Sequence, residues 1–182
     1  MKAKKANGLF SSTNPLKILS HLVGNPTNEF LGREIQKATS ISRAGVYIAL
    51  SDLIKQGLVY KKQKGRFLLY SLDYENIVVR QFKVLNNAVL LQPIVSKLKP
   101  LSKKIILYGS TSRGEDNRDS DIDLFVLSQE PQAVKEILVS RKYKRKIQVV
   151  IKTPSEFTEF KDKEKIFWRE VDRGIILWEE KE

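Results

Sequence analysis

Ile105–Val126 reads IILYGSTSRGEDNRDSDIDLFV. Its first four residues, with Lys103-Lys104 before them, make a short apolar strand after a basic step. Gly109-Ser110 follows at once, and Thr111-Ser112-Arg113-Gly114 can start a helix. Backbone N–H groups at a glycine-bearing turn ahead of a helix suit phosphate oxygens. Gly109 lets a phosphate come close to the backbone, Ser110 adds a hydroxyl donor and Arg113 a charge. The other end, Asp121–Leu127, reads as a second strand. Side chains at i and i+2 share one face of a strand, so Asp121 and Asp123 point the same way, with Ile122 and Leu124 opposite. Two neighbouring carboxylates in an apolar strand repel each other, and a divalent cation relieves that repulsion. Hard Mg2+, or Mn2+ in its place, favours such oxygen ligands together with phosphates.

Gly109-Ser110, Arg113-Gly114 and Ser120-Asp121-Ile122-Asp123-Leu124 together resemble the signature of the minimal nucleotidyltransferases, within the DNA polymerase β-like superfamily. The family pattern is roughly G-S-x-A-R-G, a short acidic loop, then S-D-I-D-L. Only the alanine differs, with Ser112 in its place. The resemblance extends over residues 101–178, where Phe167–Val171 and Gly174–Trp178 are similar to the family's closing helix and short strand. It implies a nucleoside triphosphate substrate held by Gly109, Ser110, Arg113, Gly114 and Ser120. It implies that Asp121 and Asp123 are catalytic and hold the metal. In the family a third carboxylate on a neighbouring strand helps activate an acceptor hydroxyl; a nucleoside monophosphate is transferred and pyrophosphate leaves.

The sequence departs from that pattern at one place. After a helix expected over Pro131–Tyr143, the third strand is Arg145-Lys146-Ile147-Gln148-Val149-Val150-Ile151-Lys152, and it holds no carboxylate. Gln148 is the best-aligned polar position. Its amide can ligate a cation but cannot serve as a base. Glu136 and Glu156 belong to flanking segments. The expectation is a site that holds Mg-nucleotide and is impaired in transfer, since each ~1.4 kcal/mol of lost transition-state stabilisation is tenfold in rate.

Working outward to the N-terminal side, charge changes abruptly. Residues 1–100 carry 16 Lys and Arg against 5 Asp and Glu, while residues 101–182 carry 17 against 16, within a net charge of +12. The first part therefore suits a polyanion. Asn14-Pro15 opens a helix whose face is Leu16, Ile18, Leu19 and Leu22, and Gly24-Asn25-Pro26 stops it. A second helix is expected from about Asn28 to Ala38. Ser42 is a candidate N-cap for a third, running to about Gln56. Two β-like runs, Leu58–Lys62 and Arg66–Leu72, flank Gln63-Lys64-Gly65 and read as a hairpin. The stretch GREIQKATSISRAGVYIALSDLIKQGLVYKK resembles the winged helix-turn-helix family, over about residues 14–73. That resemblance implies DNA binding. Ser42, Arg43 and Tyr47 would face base edges, and Lys61, Lys62, Lys64 and Arg66 the phosphate backbone.

Residues 74–98 form a helical connector with Tyr74, Ile77, Val78, Leu85, Ala88 and Leu91 at helical spacing, broken or kinked at Pro93, after which Ile94, Val95 and Leu98 continue the apolar face. Such a helix could pair with its twin in a homodimer or pack on the second domain. The chain has no cysteine, which excludes disulfides and thiolate metal sites and makes a reducing cytoplasm the simplest compartment. No apolar run reaches the ~20 residues that span a bilayer, so no membrane is expected. MKAKKANGLFSS reads as a floppy basic tail, and Arg141–Lys146 as a basic turn. His21, Trp168 and Trp178 read as packing residues. Glu115, Asp116 and Asp119 read as a solvated loop.

The architecture expected is α+β: a winged helix-turn-helix domain over 10–73, a connector over 74–100, and over 101–182 a small nucleotidyltransferase-fold mixed sheet flanked by helices. Three functions are compatible with it. One is a nucleotidyltransferase brought to its acceptor by the winged helix. The second is a DNA-binding transcriptional regulator with an impaired nucleotide-sensing domain. The third is an antitoxin-type partner of a toxin-like protein, as minimal nucleotidyltransferases often are.

Overall fold

A computed structural model describes residues 13–139 and 145–181. The basic tail at 1–12 and positions 141–144 of the basic run lie outside the described residues. The chain is mixed α and β and divides into two units, Met1–Asn86 and Asn87–Glu182.

In the first unit, helix α1 (Asn14–Val23) starts with Pro15 in its first turn, and the Thr13 hydroxyl accepts from the Leu16 N–H as cap. The second helix begins later than the periodicity suggests. Phe30–Leu31 is a short strand, β1, and helix α2 is Gly32–Thr39. Two contacts move that boundary. Glu34 accepts from the Leu31 N–H at 2.8 Å, and Phe30 and Leu31 pair with Tyr70 and Leu69. Ser40 ends α2 in the left-handed conformation, at φ 56°. Helix α3 (Arg43–Lys55) is capped by the Ser42 hydroxyl, which accepts from the Gly45 N–H at 3.1 Å. Strands β2 (Val59–Lys64) and β3 (Phe67–Leu72) form a hairpin that turns at Gly65, φ 58°. The antiparallel sheet runs β1-β3-β2. Ile18, Leu22, Ile35, Ala49, Leu53, Val59 and Leu72 bury the apolar faces together.

Helix α4 (Ile77–Leu98) passes through Pro93 without interruption. Its C-terminal part buries the residues the spacing singled out, and its N-terminal part does not. Ile77, Val78 and Leu85 are exposed, while Val79, Leu91, Ile94, Val95 and Leu98 are buried. The buried stripe also carries Lys83 and Asn86. Asn86 accepts from the Ser20 hydroxyl at 3.2 Å, and Lys83 lies over the Tyr74 ring at 5.8 Å. Polar residues on the inward arc conceal a helix face from a hydrophobic pattern. A 3-10 turn, Lys99–Leu101, follows.

The second unit is a four-stranded mixed sheet. Its strands are β4 (Lys104–Tyr108), β5 (Ile122–Leu127), β6 (Ile147–Lys152) and β7 (Ile175–Glu179). The order is β6-β5-β4-β7. β4 is antiparallel to β5 and to β7, and β5 is parallel to β6. Alternation sends Ile105, Leu107, Leu124 and Val126 to one face, where Ile94, Leu98 and Val134 of α6 (Pro131–Val139) cover them. The opposite face carries Ile106, Tyr108 and Phe125 against Phe160 of α7 (Pro154–Lys163) and Val171 of α8 (Lys165–Asp172). Trp168 meets Phe125 edge-on at 5.9 Å, and Trp178 donates to the Ser102 carbonyl at 3.2 Å. Among the described residues no helix is long and apolar enough to cross a membrane.

Candidate functional site

Between β4 and β5 the chain makes one short helix, α5 (Gly109–Arg113), and an acidic loop. Gly109 has φ 68°, in the left-handed region. A Cβ there would overlap the Asp123 carboxylate. Only glycine meets both demands. The Gly-Ser turn and the second aspartate are therefore packed directly on each other, and Tyr108 and Asp123 are register partners across the sheet.

β5 starts at Ile122, so Asp121 sits at its mouth rather than inside it. Gln148 is the register partner of Asp123, but its side chain goes to the other aspartate: Nε2 donates to Asp121 Oδ2. Lys146 Nζ lies 3.5 Å from the same oxygen. Burial, the charge of Asp121 and the charge of Glu170 push the Asp123 pKa up, and Arg145 pulls it part of the way back. Tyr108 is pushed up to about 12 by burial, Asp123 and Glu170. Burial and like charge thus outweigh Arg145 at Asp123.

Arg113 is exposed, and two carboxylates engage its guanidinium. Its Nε donates to Glu115 at 2.7 Å, and Nη1 lies 4.0 Å from Glu170. Gly114 caps α5 in the left-handed conformation, φ 72°. Ser112 donates to the Gly109 carbonyl at 2.8 Å. The Ser120 hydroxyl is engaged within the loop: it accepts from the Asn117 N–H at 2.9 Å and donates to Asn117 Oδ1 at 3.1 Å. Ser110 is half-buried at the start of the turn.

Residues that pattern reading passed over hold this loop. Asp116, expected as solvated, is 3% exposed and pairs with Arg145 Nη1 at 2.6 Å. Arg145 Nε donates to the Ser120 carbonyl at 2.8 Å. Nη2 donates to the Asp121 carbonyl at 3.1 Å and to Thr111 Oγ1 at 3.0 Å. Thr111 donates in turn to the Asp121 carbonyl, and Asn87 Nδ2 donates to Asp116 Oδ1 at 3.1 Å. One guanidinium fork therefore ties α5, the acidic loop and the approach to β6 together. Nothing local marks Arg145, which sits in a basic run, or Asp116, which sits in an acidic one.

Residues 90–172 match the family model of the nucleotidyltransferase domain. No curated protein and no solved structure matches the chain. The nucleotidyltransferase domain points to nucleotidyl transfer in general, and its match contains both Gly109-Ser110 and the Asp121/Asp123 pair. The residues present fit one divalent cation. The charge of Asp121 reaches Asp123, and burial together with that charge disfavours the Asp123 anion. Among the described residues no group of three or more His, Cys, Asp or Glu is arranged to hold a metal ion. The remaining ligands would then be phosphate oxygens and water, a common habit of Mg2+.

In the first unit, Arg43, Ala44, Tyr47 and Ile48 form the exposed face of α3, with Tyr47 74% exposed. Ser42 is committed to its cap. Arg33, Gln36, Lys37, Ser40, Ile41 and Ser42 line an open cleft of about 510 Å³ beside it. Lys61, Lys62, Lys64 and Arg66 are all exposed on the hairpin. Lys62 pairs with Glu29 at 3.3 Å, and the Arg66 guanidinium lies over Phe67 at 5.2 Å.

Proposed function

We propose that the nucleotidyltransferase domain binds a nucleoside triphosphate with one divalent cation and transfers a nucleoside monophosphate to an acceptor hydroxyl, while the first unit acts as a winged helix on DNA. The observation that carries this reading is the packing of the Gly109 turn on the Asp123 carboxylate, inside the matched region. On this reading a turn that takes phosphate lies beside a pair that takes the cation. The cation, when bound, neutralises phosphate charge as pyrophosphate leaves. The chain's own part is to place. Asp121 and Asp123 hold the cation, the Gly109-Ser110 turn and Arg113 take phosphate oxygens, and Arg145 fixes the distance between them. Catalysis of this kind rests on position and charge.

DNA binding is supported by the basic first half of the chain and by the exposed Arg43, Tyr47, Lys61, Lys64 and Arg66. A second reading, binding without turnover, is favoured by Gln148 at the register position beside Asp123. The test uses α-labelled nucleotides with Mg2+. Label transfer that Asp121→Ala abolishes supports the enzyme. Mg-nucleotide binding lost in Asp121→Ala/Asp123→Ala, with no transfer in the parent, supports the second reading. No binding at all sinks both. Replacing Arg43 and Lys64 together is expected to lower DNA affinity and flatten its salt slope; an unchanged slope rejects the DNA role.

A further inference from the structure

Two donors from the approach to β6 and its first turn of strand meet on one oxygen. Gln148 Nε2 donates to Asp121 Oδ2, and Lys146 Nζ lies 3.5 Å from it. The opposite orientation of the Gln148 amide would set oxygen against oxygen, so the donor assignment follows from the contact itself. Two arginines nearby are engaged by other carboxylates. Arg145 pairs with Asp116, and Arg113 lies between Glu115 and Glu170. Among the described residues Lys146 is the cation paired with Asp121, while the charge of Arg145 also reaches Asp123. Lys146 is also free to move, because its side chain is 72% exposed. An ammonium on a four-carbon stem is a compact point charge with three rotatable donors.

A two-cation centre needs a further negative ligand beside Asp123. This chain supplies a neutral amide at that register position and a positive group two residues before it. The geometry points to a single-cation site in which the Lys146 ammonium takes the place of a second cation against the phosphates of the nucleotide, with Gln148 holding Asp121 in position. The inference rests on the nucleotide-binding reading above. On binding, Lys146 leaves Asp121 Oδ2 to the incoming cation and turns to a phosphate oxygen; no covalent step is involved.

The experiment counts metal. The full chain is dialysed to equilibrium against Mn2+ and a non-hydrolysable ATP analogue, and the Mn2+ held with the chain in excess of that in the outer compartment is counted by electron paramagnetic resonance after acid release. One Mn2+ per chain is expected. Lys146→Ala should leave that stoichiometry at one and weaken analogue affinity about tenfold at low salt, a loss that shrinks as salt is raised. Lys146→Ala/Gln148→Glu should bind two. Tryptophan fluorescence checks that each variant is folded, and Lys146 is exposed enough that its loss leaves the core intact. Two Mn2+ on the parent chain, or unchanged analogue affinity in Lys146→Ala, overturns the inference while leaving nucleotide binding standing. No Mn2+ with the analogue present overturns nucleotide binding, and this inference with it.

Discussion

Replacing Arg145 by methionine keeps the length of the side chain and deletes every donor of the fork. Arg145 is 18% exposed on its side chain and Asp116 3%. The variant leaves the Asp116 carboxylate buried, with Asn87 still donating to Oδ1 and the Arg145 donor to Oδ2 removed. Removing one partner of a buried ion pair costs about 3–5 kcal/mol, chiefly because the other charge is stranded. The bonds to Ser120, Asp121 and Thr111 add less, since water can reach part of that edge. A loss of at least about 3 kcal/mol is expected. Trp168 and Trp178, the only tryptophans, both lie in the second unit, so urea unfolding followed by tryptophan fluorescence reports this unit. With a slope of about 1–3 kcal/mol per molar urea, the midpoint should fall by at least ~1 M at unchanged slope. Asp116→Asn in the Arg145→Met background removes the buried charge and should recover about half the loss. A loss under about 1 kcal/mol, or singles that simply add in the double variant, would show that the fork does not carry the loop.

Other substitutions probe separate features. Gly109→Ala is expected to cost about 1 kcal/mol in backbone strain and to displace Asp123, weakening Mn-nucleotide binding about tenfold or more by calorimetry, which is ~1.4 kcal/mol; equal affinity refutes the packing argument. Ser42→Ala removes the cap of α3 and should cost about 1 kcal/mol, read as faster hydrogen exchange of α3 amides with the tryptophan transition unmoved. His21 has a pKa lowered by burial, and its Nε2 has no hydrogen-bond partner among the described residues. The fold therefore holds it neutral. The stability this represents is complete above the ordinary value of 6.5 and is lost as pH falls below it. His21→Leu should flatten that part of the stability–pH curve, and an unchanged curve contradicts it.

What the sequence made legible was local. The i, i+2 spacing of Asp121 and Asp123 needs no tertiary information, nor does a glycine between two β-like runs, nor a serine before a helix. Gln148 was legible only in part. Its alignment with the aspartates follows from strand counting, but its choice of Asp121 over its register partner Asp123 depends on side-chain direction. The concealed parts are long-range or polar. Arg145 and Asp116 lie in runs of like charge and find each other only through the parallel pairing of β5 with β6. The start of α2 was misplaced because Phe30 and Leu31 suit a helix until β3 arrives to pair with them. The inward side of α4 was legible from Leu91 to Leu98 and hidden before it, where Lys83 and Asn86 occupy it.

The position of β4 has a consequence for synthesis. This strand is central, yet one of its two neighbours is β7, and Trp178 closes on Ser102 from 76 residues away. On the ribosome, Lys104–Tyr108 emerges with the whole motif behind it and must wait for Ile175–Glu179 before its second edge is satisfied. An unpaired apolar edge is a site for mispairing with other chains. A nascent chain stalled within α8 would thus carry every residue of the motif and still present an open strand, making it a client for chaperones rather than a working protein.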